Sequence, residues 1–307
     1  MTTFGAKLRQ KKKAIKSSSV DTYLRNIRRL RKVKGKLPIP ESDHKWVVSK
    51  ALLEWYDKQP LNIRRHMSTA AQVALDVYGK KSEAWKTRQS DSMKEFDKDR
   101  RERKLTQKMK DKIPAKGFDV LKGVISTMKK ELRHILVKPQ KDWSFQDLSR
   151  VQELVILSLY YNFPLRLDYA TLETKKTDGN CIYKNTKKPR GWHIQLKEYK
   201  TSKTMGTKVF KPNVSNQRLL NKFVPATELL TDHGYLLSNQ SKQKMSKQVL
   251  SKKLHALTKR RIGKTFSTQL LRILYAMKNR GILESAKEVS EKLMHSTEQS
   301  LQYAKKS

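Results

Sequence analysis

Residues 144–168 read Ser-Phe-Gln-Asp-Leu-Ser-Arg-Val-Gln-Glu-Leu-Val-Ile-Leu-Ser-Leu-Tyr-Tyr-Asn-Phe-Pro-Leu-Arg-Leu-Asp. Leu148, Val151, Leu154, Val155 and Leu159 recur at helical spacing behind Ser144, whose hydroxyl suits an N-cap, so the stretch predicts a buried helix from Ser144 to Tyr161. Arg166 follows that apolar helix directly, a place that does not favour an idle charge. Downstream the pattern changes. Residues 180–184, 192–199 and 207–211 concentrate β-formers, separated by Asp178-Gly179, Pro189-Arg190-Gly191 and residues 202–206. They predict three antiparallel strands. Helices are expected over 117–136 and again from about Asn216 to the end, with Leu270, Leu271, Leu274 and Tyr275 as a buried face interrupted by Arg272. Residues 111–307 therefore read as one domain, helical with a single small antiparallel sheet (α+β).

Residues 1–110 read as a second, helical domain with its linker. A Ser17-Ser18-Ser19 cluster precedes an amphipathic run through Ile27 and Leu30; Trp46, Val47, Ala51, Leu52 and Trp55 form a second helical pattern, and residues 70–77 a third. From Lys80 to Lys112 nearly every residue is polar, which fits a solvated helix or an inter-domain linker.

The 307 residues carry 69 Lys+Arg against 28 Asp+Glu, a net charge of +41. Residues 1–110 hold 30 basic and 12 acidic side chains, so the surplus is spread over both halves. Such a chain repels itself unless a polyanion is at hand, and nucleic acid is the commonest one. A lone cysteine, Cys181, excludes an intramolecular disulfide and a paired-thiolate zinc site, and points to a reducing compartment. No secretory signal is read at the N-terminus, and the apolar run 154–157 is far short of the roughly 20 residues of a membrane helix. The expectation is a protein that is not secreted and has no membrane partner. No Gly-rich phosphate loop, metal-ligand cluster or Ser-His-Asp spacing appears, so neither metal nor cofactor is expected.

Four segments stand out: Asn162-Phe163-Pro164-Leu165-Arg166-Leu167-Asp168, Glu198-Tyr199-Lys200-Thr201-Ser202-Lys203, Gln269-Leu270-Leu271-Arg272, and Leu293-Met294-His295-Ser296 followed by Tyr303. In type, order and spacing they resemble the catalytic domain of the tyrosine recombinases, the phage-integrase family. Arg166 and Arg272 are 106 residues apart, and Arg272 precedes His295 by 23 and Tyr303 by 31. The likeness spans about residues 115–307, and residues 17–110 are similar, less specifically, to that family's core-binding domain.

The chemistry can be stated without the family. Metal-free cleavage of a phosphodiester needs a nucleophile, compensation for charge on the non-bridging oxygens, and a proton for the leaving 5′ oxygen. Two permanently charged guanidinium forks, Arg166 and Arg272, suit the second need. A lysine among other cations suits the third; Lys200 is the first choice and Lys203 the alternative. The resemblance implies Tyr303 as nucleophile, forming a 3′-phosphotyrosine, and His295 as a partner of the scissile phosphate. It also implies double-stranded DNA as substrate, a homo-tetramer on that DNA, a virus or other mobile element as source, and a cytoplasmic or nuclear location wherever the target lies. Departures are plain: Gln269 stands where the family has the first histidine of His-x-x-Arg, Met294 replaces a glycine, and Asp168 falls one residue before the usual acid, at a position where Tyr169 stands. A type IB topoisomerase, with the same chemistry, and an inactive DNA-binding relative remain open beside the recombinase.

Overall fold

The computed structural model describes residues 3–15, 17–33, 35, 38–101, 107–282 and 284–285. The chain is mainly helical, with one three-stranded antiparallel sheet, and divides into two compact units, Met1–Leu105 and Thr106–Ser307. The division falls five residues before the expected one at 110.

The first unit contains α1 (Phe4–Lys11), α2 (Ser17–Lys32), α3 (Lys50–Asp57), α4 (Leu61–Val77) and α5 (Glu83–Arg101). Along α2, Val20, Leu24, Ile27 and Leu30 turn inward at steps of three and four, leaving Arg25, Arg28, Arg29 and Lys32 on the outer face. In α4 the small side chains of Ala70, Ala71 and Ala74 are all buried, which lets α5 pack closely against it. Three expectations change here. The polar stretch from residue 80 is a packed helix, because Trp85 is fully buried, donates from its indole nitrogen to the Val47 carbonyl at 2.8 Å, and meets Tyr56 edge-on at 5.1 Å. Trp46 and Val47 reach the core from the turn before α3 and not from a helix. And α1 is a helix the reading omitted: its run of basic residues hides two inward side chains one turn apart, Phe4 and Leu8.

The second unit is built around α9 (Phe145–Asn162), which Ser144 caps as expected, with Asp147 completing a reciprocal capping box at 3.0 and 3.1 Å. Before it come α6 (Gln107–Lys110), α7 (Val120–Glu131) and α8 (Arg133–Leu136); the single helix expected over 117–136 is thus interrupted at Leu132. After it come β1 (Cys181–Asn185), β2 (Gly191–Leu196), α10 (Ser202–Met205) and β3 (Lys208–Phe210), in sheet order β1-β2-β3. Ile194 pairs with both Ile182 and Phe210, and this face packs on the core. The remaining helices are α11 (Val214–Leu230), α12 (Lys247–Ile262) and α13 (Thr268–Lys278). Ser246 and Ser267 cap the last two through their hydroxyls, and Gly263, at φ 78°, ends α12 in the left-handed conformation that glycine tolerates. The C-terminal helical region is thus not continuous from Asn216: residues 231–246 form an irregular crossing that buries Leu236, Leu237 and Met245.

Trp85→Ala removes a buried ring and leaves the Val47 carbonyl without its donor. Loss of about 3–5 kcal/mol is expected, read as faster amide exchange across residues 50–101 of the full chain. A loss below about 1 kcal/mol would mean that Trp85 does not anchor this unit.

Candidate functional site

Arg166 lies four residues past the end of α9, half-buried, in a loop whose backbone is pinned by two tyrosines. Tyr160 donates its hydroxyl to the Arg166 carbonyl at 2.7 Å. Tyr169 shares its proton between the carbonyls of Phe163, 2.7 Å, and Leu159, 3.0 Å. The two rings meet edge-on at 5.0 Å. Burial pushes both phenols well above the ordinary tyrosine range, so each remains a protonated donor to the backbone. A third tie comes from Asn162, whose Oδ1 accepts from the Asn213 backbone at 2.9 Å and from Asn216 Nδ2 at 3.3 Å, fastening the end of α9 to the start of α11.

Asp168 is buried beside this loop. Burial raises its carboxyl above the usual range, against the opposing pull of Lys247, of the Arg166 guanidinium, and of the Arg166 and Asp168 backbone amides. Arg166, Asp168 and Lys247 thus share one electrostatic cluster. Among the described residues, none of Arg166, Lys200, Lys203, Lys247 and Arg272 forms an ion pair. Arginines elsewhere in the unit do: Arg261 meets Glu131 at 2.8 Å, and Arg260 pairs with Glu153.

Lys200 is exposed, in the turn after β2; the strand expected to reach residue 199 ends at Leu196, so Lys200 is not a strand residue. Lys203 is exposed in the one-turn helix α10. Tyr199 holds that connection closed by donating to the Gly206 carbonyl at 2.7 Å.

Arg272 does not interrupt the apolar face of α13. The inward positions are Leu270, Leu271 and Leu274; Arg272 and Gln269, one turn apart, lie exposed on the other side, and Tyr275, expected in the core, is 39% exposed. The 3.6-residue period separates the two sets, and a contiguous reading of the leucines concealed it. The helix is nonetheless set beside the end of α9: the Phe118 ring stacks on Tyr161 at 5.3 Å and meets Tyr275 edge-on at 5.4 Å, while Lys278 binds Asp119. The structure therefore brings α13 to the end of α9 that leads into Arg166. His295 and Tyr303 lie outside the described residues.

Lys247 was absent from the sequence reading. Its one signal is a cation in the first turn of a helix, where the backbone dipole disfavours positive charge. A second arrangement resembles a nucleophile with its base but is not one. The His233 Nδ1 accepts from the Tyr235 amide at 2.9 Å, so its proton sits on Nε2 and is donated to Ser238 at 2.7 Å. Among the described residues no group of three or more His, Cys, Asp and Glu side chains is placed to hold a metal ion, and no helix is long and apolar enough to cross a membrane.

No protein-family model matches the chain, and neither does any curated protein. The resemblance to tyrosine recombinases rests on the residue types, their order and their spacing.

Lys247→Ala removes the largest cationic influence on Asp168 and should raise its titration midpoint, followed by carboxyl carbon NMR; Lys122→Ala, on α7, should leave it in place. A midpoint unmoved by Lys247→Ala would separate the two groups. Because the folded value lies above 3.8, the ordinary value, stability from this carboxyl is greatest in acid and falls as pH rises from 3.8 through the folded value.

Proposed function

We propose that the protein is a site-specific DNA recombinase of the tyrosine type, binding duplex DNA through both of its basic units and assembling as a tetramer on that DNA. The observation that carries this reading is Arg166: a half-buried guanidinium on a pinned loop, in one electrostatic cluster with Asp168 but with no described carboxylate at ion-pairing distance. Arginine does not discharge, so its charge calls for an anion from outside, and its fork fits phosphate oxygens.

In the proposed reaction Arg166 and Arg272 hold the non-bridging oxygens of one phosphodiester. The Tyr303 oxygen, releasing its proton to water, bonds to phosphorus; the bond from phosphorus to the 5′ oxygen breaks; and that oxygen takes a proton from the Lys200 ammonium. The 3′-phosphotyrosine keeps the phosphoester bond, so a second 5′ hydroxyl reseals the strand without an energy source. Gln269 and His295 would hydrogen-bond the same phosphate. Gln269 donates but does not shuttle a proton, so proton transfer falls to the lysine. Gln269 also supports a second reading, a DNA-binding protein of this fold without strand cleavage.

A duplex nicked near its cleavage point traps a cleaving enzyme covalently. The wild type should accumulate adduct and Tyr303→Phe none; Arg166→Ala and Arg272→Ala should each slow adduct formation by about 10²–10³-fold, with Lys122→Ala within about threefold of wild type. Adduct formed equally by Tyr303→Phe rejects the nucleophile. Tight, salt-sensitive binding with no adduct selects the second reading. Relaxation of a plasmid without recombinant products selects a type IB topoisomerase.

A further inference from the structure

Asn180 is buried immediately before β1, and all four hydrogen-bonding positions of its side-chain amide are filled. Its Nδ2 donates to the Thr171 hydroxyl at 2.9 Å and to the Glu198 carbonyl at 2.8 Å. Its Oδ1 accepts from the backbone amides of Lys197 and Glu198, each at 2.8 Å. The Thr171 hydroxyl in turn donates to the Asp168 carbonyl at 2.7 Å. One side chain therefore joins two segments that are distant in sequence: the one that follows Arg166 and the one that leads into Lys200. The main chain adds a parallel fastening, since the Glu173 amide donates to the Asn180 carbonyl at 3.0 Å, and Gln195 Nε2 donates to the carbonyls of Thr177 and Gly179 at 3.1 and 3.0 Å.

Within the turn, Tyr199 donates to the Gly206 carbonyl and Lys197 pairs with Asp178, but among the described residues Asn180 alone ties the backbone of Lys197 and Glu198 to the Thr171 side chain. Glu198 and Lys200 are exposed, the strand has ended at Leu196, and the Lys200 ammonium has no partner of its own among the described residues. Lys203 is three residues further from the fastening, in the one-turn helix α10. A flexible lysine is a poor proton donor to one defined oxygen, because reaction requires it within hydrogen-bond reach at the moment the bond breaks. We infer that Asn180 is a positioning residue that sets the Lys200 turn against the Arg166 segment, so that Lys200 is the proton donor. This rests on the strand-transfer reading above.

The test uses leaving-group chemistry. Replacing the 5′ bridging oxygen of the scissile phosphate by sulfur gives a thiol leaving group, which ionises near pH 8.5 as a cysteine does and needs no proton to depart. On the ordinary nicked duplex, Asn180→Ala should form adduct about 10²-fold more slowly than wild type. On the bridging-sulfur duplex it should come within a few-fold of wild type, and so should Lys200→Ala. Thr171→Val, which removes one of the four bonds with little change of shape, should show the same rescue with a smaller initial loss. Amide exchange in the full-length Asn180→Ala chain should rise over residues 197–206 and stay at the wild-type level over residues 145–162. An Asn180→Ala chain equally slow on both duplexes, or as fast as wild type on the ordinary one, overturns the inference while wild-type cleavage upholds the strand-transfer chemistry it rests on. Wild-type chain inert on both duplexes overturns that reading itself.

Discussion

A guanidinium that is half-buried and cannot lose its proton must have its charge answered, and in this chain no described carboxylate answers that of Arg166 at ion-pairing distance. The surrounding structure serves to hold that uncompensated charge in one place. Burial of α9 brings Tyr160 to the Arg166 carbonyl; Tyr169 folds back on the last turn of the same helix; Asn162 joins that turn to α11. The phenols do this because burial keeps them protonated. Burial raises the carboxyl of Asp168, the nearby acid, above its usual range, against the pull of Lys247 and Arg166.

The distribution of acids makes the same division. With 28 carboxylates for 69 cations, one-to-one pairing would leave 41 lysines and arginines without a partner. Several of the described ion pairs join scaffold elements, such as Arg88 to Asp57 between α5 and α3 and Arg261 to Glu131 between α12 and α7. Asp178 pairs with Lys197, three residues before Lys200, and among the described residues no acid pairs with Arg166, Arg272 or Lys200 themselves. Exposed pairs of this kind add little stability singly, and their clearer effect is to leave particular cations open to an external anion.

Periodicity made α9, its Ser144 cap and the three strands legible, because each is a local pattern enforced by burial. Charge hid others. In α1 the basic residues mask a two-residue apolar contact, and in α5 a single buried tryptophan turns a polar stretch into a packed helix. At the candidate site, type and spacing single out Arg166 and Lys200 but not Lys247, whose closeness to Asp168 depends on how α12 packs against residues 168–171. The orientation of Arg272 was misread because adjacent leucines suggested a continuous apolar face, while a helix places neighbouring residues about 100° apart. Asn180 carries no sequence signal at all: an asparagine before a strand is ordinary, and its role arises only where two distant turns meet.

The central claim is that two arginines and one lysine share a single phosphate. A crystal structure of the chain on a nicked duplex measures this directly. The account requires nitrogens of Arg166 and Arg272 at about 2.7–2.9 Å from the non-bridging oxygens of one phosphate, with the Lys200 ammonium at its 5′ bridging oxygen. Arg166 and Arg272 on different phosphates, or Arg272 turned to solvent in the complex, would contradict it.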